Sequence, residues 1–220
     1  MSEFLILKLQ GVMQSWGGHT YEDLRHSELF PTRSALIGLL AACLGIDREE
    51  KDKLKALNAS LRITVRSDDP PDDRQLIKIT DYHTIEGART VKGPARKNLT
   101  PTRREYLCDA CFTVALEHID QADFRLGGIK TALQNPVFTP FLGRRACPLS
   151  RPLYEDIVEA DDAFAALRKI HPYKGLVYAE QEFSGANRMR MRDVALYRHT
   201  RQFMTRDVWF RTDPPKEADL

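Results

Sequence analysis

The sequence predicts an α+β fold, and three observations carry the prediction. Apolar strand patterns and helix patterns follow one another in the order strand, helix, strand, strand, strand, helix. A long stretch poor in large apolar residues interrupts that order near its middle. The last fifty residues are rich in strand patterns. The order resembles a ferredoxin-like βαββαβ unit carrying a long insertion, with the terminal strands forming a second, smaller sheet.

Phe4–Leu9 (FLILKL) is apolar and reads as a buried strand. Gly11, Gly17 and Gly18 break the regularity, so residues 11–30 read as loop. Thr32 suits the N-cap of a helix whose Leu36, Leu39, Leu40, Cys43 and Leu44 share one face, and Gly45 suits the position that ends it. Arg48–Leu57 reads as a second, charged surface helix with Leu54 and Leu57 inward. Leu61–Arg66 (LRITVR) alternates apolar and basic residues as a half-buried strand does. Asp68–Asp73 (DDPPDD) reads as a turn, and Leu76–Tyr82 as the partner strand beyond it.

His83–Arg104 contains Gly87, Gly93, Pro94 and Pro101 and is too long for an ordinary connection, as functional or disordered segments are. Tyr106–Glu117 returns to strand pattern, and Asp120–Gln134 reads as a helix weakened by Gly127 and Gly128. Residues 136–152 carry four prolines and read as loop. A short helix follows over Ala160–Lys169, then strands over Leu176–Phe183, Arg190–Tyr197 and Phe203–Arg211. The division expected is a single chain with a palm over 1–82 and 107–150, an insertion over 83–106, a strand-rich part over 151–211 and a mobile tail over 212–220.

The 220 residues carry a net charge of only +2, so overall charge does not select a nucleic-acid partner. Its distribution is uneven. Between His83 and Leu107, Arg89, Lys92, Arg96, Lys97, Arg103 and Arg104 face only Glu86 and Glu105. Residues 143–151 (GRRACPLSR) hold Arg144, Arg145 and Arg151 without an acid. Residues 185–206 hold six arginines against Asp193. Arginine gives bidentate phosphate contacts, and aromatics such as Tyr82, Tyr106, Phe141, Tyr197 and Phe203 stand beside these segments as stacking surfaces. The competing reading is a set of solvated arginines paired with the acidic segments.

Other motifs carry less. Cys108-x-x-Cys111 lacks the second pair a zinc site needs, and Cys43 and Cys147 are singletons, so core thiols are expected. His83 with Tyr82 and Lys92 offers the base, acid and cation of a metal-independent ribonuclease. No Walker loop, dinucleotide fingerprint, His-Glu-x-x-His or Gly-x-Ser-x-Gly occurs, so no cofactor or metal is expected. The longest apolar run, Ala35–Ile46, is too short to span a bilayer, and the N-terminus has no basic n-region; a cytoplasmic protein with reduced thiols and no membrane partner is expected.

Several long segments then converge on one family: FLILKLQGVMQSWG, FPTRSALIGLLAACLGI, ITDYHTIEGAR, RREYLCDACFTVAL, TPFLGRRACPL and RQFMTRDVWF. Together, from about residue 4 to residue 211, they resemble the CasD family, the subunit of the type I-E CRISPR Cascade surveillance complex that holds the 5′ handle of the guide RNA. The resemblance implies a ferredoxin-like, RRM-like palm with an extended β-hairpin thumb at 83–106. It implies a non-catalytic RNA clamp. It also implies as partners the guide RNA, the repeated backbone subunit and the large subunit that reads the protospacer-adjacent motif, with target DNA met indirectly through the complex.

By the same resemblance, Gln14, Ser15 and Trp16 meet a nucleotide after the first strand. Arg33 and Ser34 offer a helix N-terminus to phosphate. His83, Thr84 and Arg89 start the thumb, and Arg103, Arg104 and Tyr106 end it. Phe141, Leu142, Gly143, Arg144 and Arg145 form a Gly-Arg-Arg loop for two phosphates, and Gln202 and Phe203 are further contacts. Packing roles compete for Trp16, Tyr106 and Phe141, and an ion pair with Glu28 or another acid competes for Arg33. Residues 85–102 depart from the family's pattern. A repeat endoribonuclease and a protein-binding scaffold are the alternatives to the clamp.

Overall fold

The computed structural model describes residues 1–21, 23–68, 76–88, 99–197 and 202–213. In chain order the elements are β1 (Ser2–Gln10), β2 (Met13–Gln14), β3 (Trp16–Tyr21), β4 (Leu24–Glu28), α1 (Arg33–Leu44), α2 (Lys51–Ser60), β5 (Leu61–Asp68), β6 (Ile77–Ile85), β7 (Thr100–Cys108), β8 (Cys111–His118), α3 (Leu126–Gln134), β9 (Tyr154–Ala160), α4 (Ala163–Arg168), β10 (Gly175–Ala179), β11 (Asn187–Ala195) and β12 (Phe203–Asp213). The fold is α+β and strand-rich. None of the described helices is long and apolar enough to cross a membrane.

Seven strands form the main sheet in the order β11-β12-β10-β5-β8-β1-β9, with every neighbouring pair antiparallel. β1 lies between β8 and the edge strand β9 and is apolar on both faces. Leu5, Leu7 and Leu9 point into the larger core beneath α1, α2 and α3, and Phe4 and Ile6 into a smaller core with Ala166 and Leu167 of α4. α1 forms where predicted and ends as predicted. Gly45 takes φ 71°, and the N–H groups of Gly45 and Ile46 close back on the carbonyls of Ala42 and Ala41. α2 buries Leu54 and Leu57 as its two spaced leucines require, although it starts three residues later than the sequence predicts.

Several expectations are corrected. The glycine-containing stretch 11–30 is not loop. It supplies β2, β3 and β4 to a second sheet of order β2-β7-β4-β3, with β6 paired to β7. β6 is therefore not the partner of β5, which lies between β8 and β10. The single strand predicted over Tyr106–Glu117 is two strands, because Asp109 takes a positive φ of 51° and turns the chain from one sheet into the other. α3 begins at Leu126, not Asp120. The terminal strands do not make a separate sheet; β10, β12 and β11 extend the main sheet beyond β5. β9, inside the part assigned to the strand-rich end, pairs with β1, so the sheet around β1 draws on residues beyond 150. β12 runs to Asp213, and the rest of the expected tail lies outside the described residues.

Asp68, expected in a turn, is buried at the end of β5. It accepts from Lys8 Nζ at 2.6 Å, from Arg66 Nε at 2.7 Å and from the Thr113 hydroxyl. The rest of the DDPPDD run lies outside the described residues. Two buried cations thus share one carboxylate, and backbone carbonyls take up the remaining donors: His171 O for Lys8, and Leu167 O and Ile170 O for Arg66.

Candidate nucleic-acid interface

The Gly-Arg-Arg loop is built on a buried anchor. Leu142 has no exposed surface and sits in the larger core. Its N–H donates to Cys147 O, and Cys147 N–H donates to Arg144 O, which closes residues 142–147 into a tight turn. Gly143 takes φ 85°, and a Cβ placed there would lie 1.8 Å from the Ser15 carbonyl oxygen, so no other residue fits. Ser15 N–H in turn donates to Leu142 O at 3.1 Å. The loop is therefore fixed at the junction of β2 and β3.

That fixing sets Arg144 over the base of the β6–β7 hairpin. Its guanidinium lies 4.7 Å from the centre of the Tyr106 ring, and one terminal nitrogen donates to Arg25 O at 3.1 Å. Its other terminal nitrogen is buried without a hydrogen-bond partner. Arg145 beside it is exposed. β4 and β7 run parallel here with Arg25 opposite Arg104 and Leu24 opposite Arg103. Arg104 Nε donates to the Thr102 hydroxyl, and the exposed Arg103 pairs with Asp23 at 3.0 Å. Arg144 thus lies against the Tyr106 ring, with Arg25 and Arg104 at paired positions on β4 and β7 and the exposed Arg145 next to it in the loop. Arg25 was missed in the sequence because its segment reads as loop, and LRHSE, one apolar residue followed by four polar ones, carries no alternation that marks a strand.

Beneath this group Glu105 gathers three donors: Lys78 Nζ at 2.9 Å, Ser27 N–H at 3.0 Å and His26 Nδ1 at 3.2 Å. Burial acts to raise its pKa, but those bonds outweigh burial and hold the carboxyl below its ordinary range. Glu28 is shifted the other way, by burial first and then by the charge of Asp193. Through its bonds to Lys78 of β6 and to the Ser27 N–H of β4, Glu105 ties the hairpin base to β4.

Other predicted residues have different surroundings. Gln14 is fully buried, donates to Ala110 O and Leu9 O, and accepts from the Trp16 ring N–H. The Ser15 hydroxyl donates to Glu105 O. The Trp16 ring has no exposed surface and meets Phe112 edge to face at 6.4 Å, so its packing role accounts for it and it presents no stacking face. Arg33 donates to Asn58, to Leu61 O and to the Glu180 carboxylate, not to Glu28. Asp193 already accepts the Arg33 N–H at 2.8 Å, so a carboxylate of the protein occupies the start of α1 where phosphate was expected beside Ser34. Tyr106 is buried, yet one face of its ring is covered by Arg144.

His83 and Thr84 stand further out on β6, opposite Thr102 and Pro101, and His83 Nε2 lies 2.5 Å from Asp81. Tyr82 and His83 are consecutive in a strand and point to opposite faces, and Lys92 lies outside the described residues, as do Arg89, Arg96 and Lys97. The described residues therefore do not bring a ribonuclease triad together. Phe141 is half-buried at the start of the Gly-Arg-Arg loop. Gln202 and Phe203 lie at the far end of the β11–β12 hairpin, where Leu196 N–H donates to Gln202 O; Arg198 and Arg201 lie outside the described residues.

All four cysteines are free thiols. Burial pushes Cys43 up to about 11. Burial, then the neighbouring Asp68, pushes Cys111 up to about 12. Among the described residues no three histidines, cysteines or acids group as metal ligands.

The family model described as CRISPR-associated protein (Cas_Cas5) matches residues 4–209. The chain is 41% identical over 215 residues to the CRISPR system Cascade subunit CasD of Escherichia coli (strain K12), covering 96% of each chain. A chain of a CRISPR RNA-guided surveillance complex superposes with a TM-score of 0.67 at 29% identity, covering 95% of this chain and 89% of that one. A second solved structure, titled as a Cas protein, superposes with a TM-score of 0.66 at 31% identity, covering 97% and 96%. The chain belongs to the Cas5 family of CRISPR-associated proteins.

Proposed function

We propose that this chain clamps the repeat-derived 5′ handle of CRISPR guide RNA and caps the backbone of a type I-E Cascade complex without cutting the RNA. In this reading β1, α1, β5, β8, α3 and β9 are the ferredoxin-like palm, which fits their strand order β5-β8-β1-β9. The β6–β7 hairpin is the thumb. The repeated backbone subunit and the large subunit that reads the protospacer-adjacent motif are its neighbours, and the cytoplasm is its compartment.

The observation that carries the reading is Arg144. It is fixed over Tyr106 by a loop that only glycine permits, it stands among Arg25, Arg104 and Arg145, and it keeps one nitrogen without an acceptor. That nitrogen is covered in the free chain, so a phosphate oxygen supplies its acceptor as the Arg144 side chain shifts toward the ligand; phosphate contacts dominate RNA affinity. Arg145, exposed beside it, takes a second phosphate.

The test is handle binding by the Arg144→Ala/Arg145→Ala variant, titrated across salt against wild type, with a scrambled RNA of equal length as control. The expected result is weaker handle binding and a salt slope shallower by roughly 1.4, at about 0.7 for each single-strand phosphate lost. Unchanged affinity and slope for the handle overturn the role of this loop.

A further inference from the structure

The third basic segment of the sequence finds no place in that clamp, and the fold gives it one of its own. β11 is the edge strand of the main sheet, and Arg188, Arg190 and Arg192 alternate along one face of it while Met189 and Met191 pack toward the larger core. Residues two apart in a strand are about 6.6 Å apart, close to the spacing of successive phosphates in an extended single strand. Arg188 and Arg190 side chains are 64% and 75% exposed. Among the described residues one acid pairs with them, Asp207 of β12, at 3.8 Å from Arg188 and 3.9 Å from Arg190. Arg192 donates to Phe203 O and is exposed. Trp209 stands directly opposite Arg188.

The strand register shows which face this is. Arg188 lies in one row with Trp209, Ala179, Thr64, Ala115 and Ile6. Ala115 and Ile6 belong to the smaller core beneath α4, whereas Leu142, Tyr106 and Trp16 belong to the larger core on the opposite face. The arginine ladder and the Gly-Arg-Arg loop therefore occupy different sides of the molecule.

We propose that the β11 ladder is a second nucleic-acid site, which tracks the phosphodiester backbone of a single strand without reading its bases. Three guanidiniums in a row, separated by one nucleotide step each, meet three phosphates, and Trp209 offers its ring to a base beside the first. The long contacts with Asp207 are exposed and weak, so they yield to phosphate at little cost. The strand is either RNA or DNA, since both present the same backbone. Charges on an edge strand also deter unwanted strand addition, a role that makes no demand on nucleic acid.

The experiment measures binding of the full-length chain to labelled oligothymidylate and oligouridylate across a range of salt. The Arg188→Ala/Arg190→Ala/Arg192→Ala variant is expected to lose at least about tenfold in affinity at low salt. Its salt slope should fall by roughly 2, for three single-strand phosphate contacts. Asp207→Asn should move affinity the opposite way, by about threefold, because it removes the acid from the ladder. Loss on both probes, or on one, supports the site and identifies which strand it takes. Unchanged slopes on both probes, with Asp207→Asn also silent, overturn it and leave edge protection as the ladder's role. The readout is independent of handle specificity, so it stands or falls apart from the Arg144 and Arg145 test.

Discussion

Arg66 and Arg144 are both guanidiniums held against the protein, one at the centre of the main sheet and one at the foot of the β6–β7 hairpin, and they are held in opposite ways. Arg66 is 1% exposed, and acceptors surround it: Asp68 at Nε, Leu167 O at one terminal nitrogen, Thr113 and Ile170 O at the other. Among the described residues the Arg144 side chain has one hydrogen bond, to Arg25 O, an aromatic ring beneath it, and a nitrogen without a partner. The first is finished by folding. The second is left with donor capacity. Arg33 belongs with Arg66, although its place at a helix start makes it look like a phosphate ligand in the sequence. Saturation by protein acceptors, and not basicity, separates the arginines that build the fold from those free to meet a ligand.

The largest effect expected from this contrast is at Asp68. Asp68→Asn removes the one carboxylate shared by Lys8 and Arg66, whose side chains are 5% and 1% exposed. Leaving buried cations uncompensated costs about 3–5 kcal/mol, equivalent to roughly 10 °C in a chain of this size. Thermal unfolding measures it. A loss under about 1 kcal/mol would show that the central arginine is less dependent on its partners than the geometry implies.

Gly143→Ala comes next. It forces a Cβ into the Ser15 carbonyl at a positive φ, so the loop must lift from the β2–β3 junction. A cost of about 1–3 kcal/mol is expected, together with weaker handle binding, because Arg144 loses its fixed place over Tyr106. If stability falls and handle affinity does not, the loop is structural and the contrast with Arg66 disappears.

The buried thiols test the same burial through pH. A thiol whose folded pKa is raised contributes stability that is complete below its ordinary value near 9 and is lost as pH climbs toward the folded value, about 11 for Cys43. Across that window each such group withdraws about 1.4 kcal/mol per pH unit. Cys43→Ala should therefore flatten the alkaline decline of stability relative to wild type, read as the difference between two urea titrations at pH 8 and pH 10. Parallel declines would mean that Cys43 meets water in the folded chain.

How much of this was legible in the sequence follows from which forces act locally. α1, α2 and β1 were readable because apolar spacing and a left-handed glycine are written in consecutive residues. The Gly-Arg-Arg loop was readable as a motif. The second sheet was not, because β2, β3 and β4 are short, β3 contains two glycines, and β2 and β4 gain their partner in β7, more than seventy residues away. Nor was the division among arginines, since Arg33 meets Glu180 and Asp193 only when β10 and β11 join the sheet. Pairing across the chain decides both, and no local pattern encodes it.

The smallest effect expected is at Arg103, which sharpens the comparison from the other side. Its contact with Asp23 is 3.0 Å long, only slightly longer than that between Arg66 and Asp68, but the two side chains are 58% and 43% exposed. In water such a pair gains little over its solvated parts, so Arg103→Ala should alter stability by no more than about 0.5 kcal/mol. Its guanidinium is nevertheless available at the edge of the basic group formed by Arg25, Arg104, Arg144 and Arg145. The substitution should therefore lower handle affinity modestly, about two- to fivefold, and reduce the salt slope by roughly 0.7. Equilibrium unfolding and a salt titration on the same variant read the two quantities separately. A stability loss comparable to that of Asp68→Asn, with an unaltered slope, would place Arg103 among the saturated arginines.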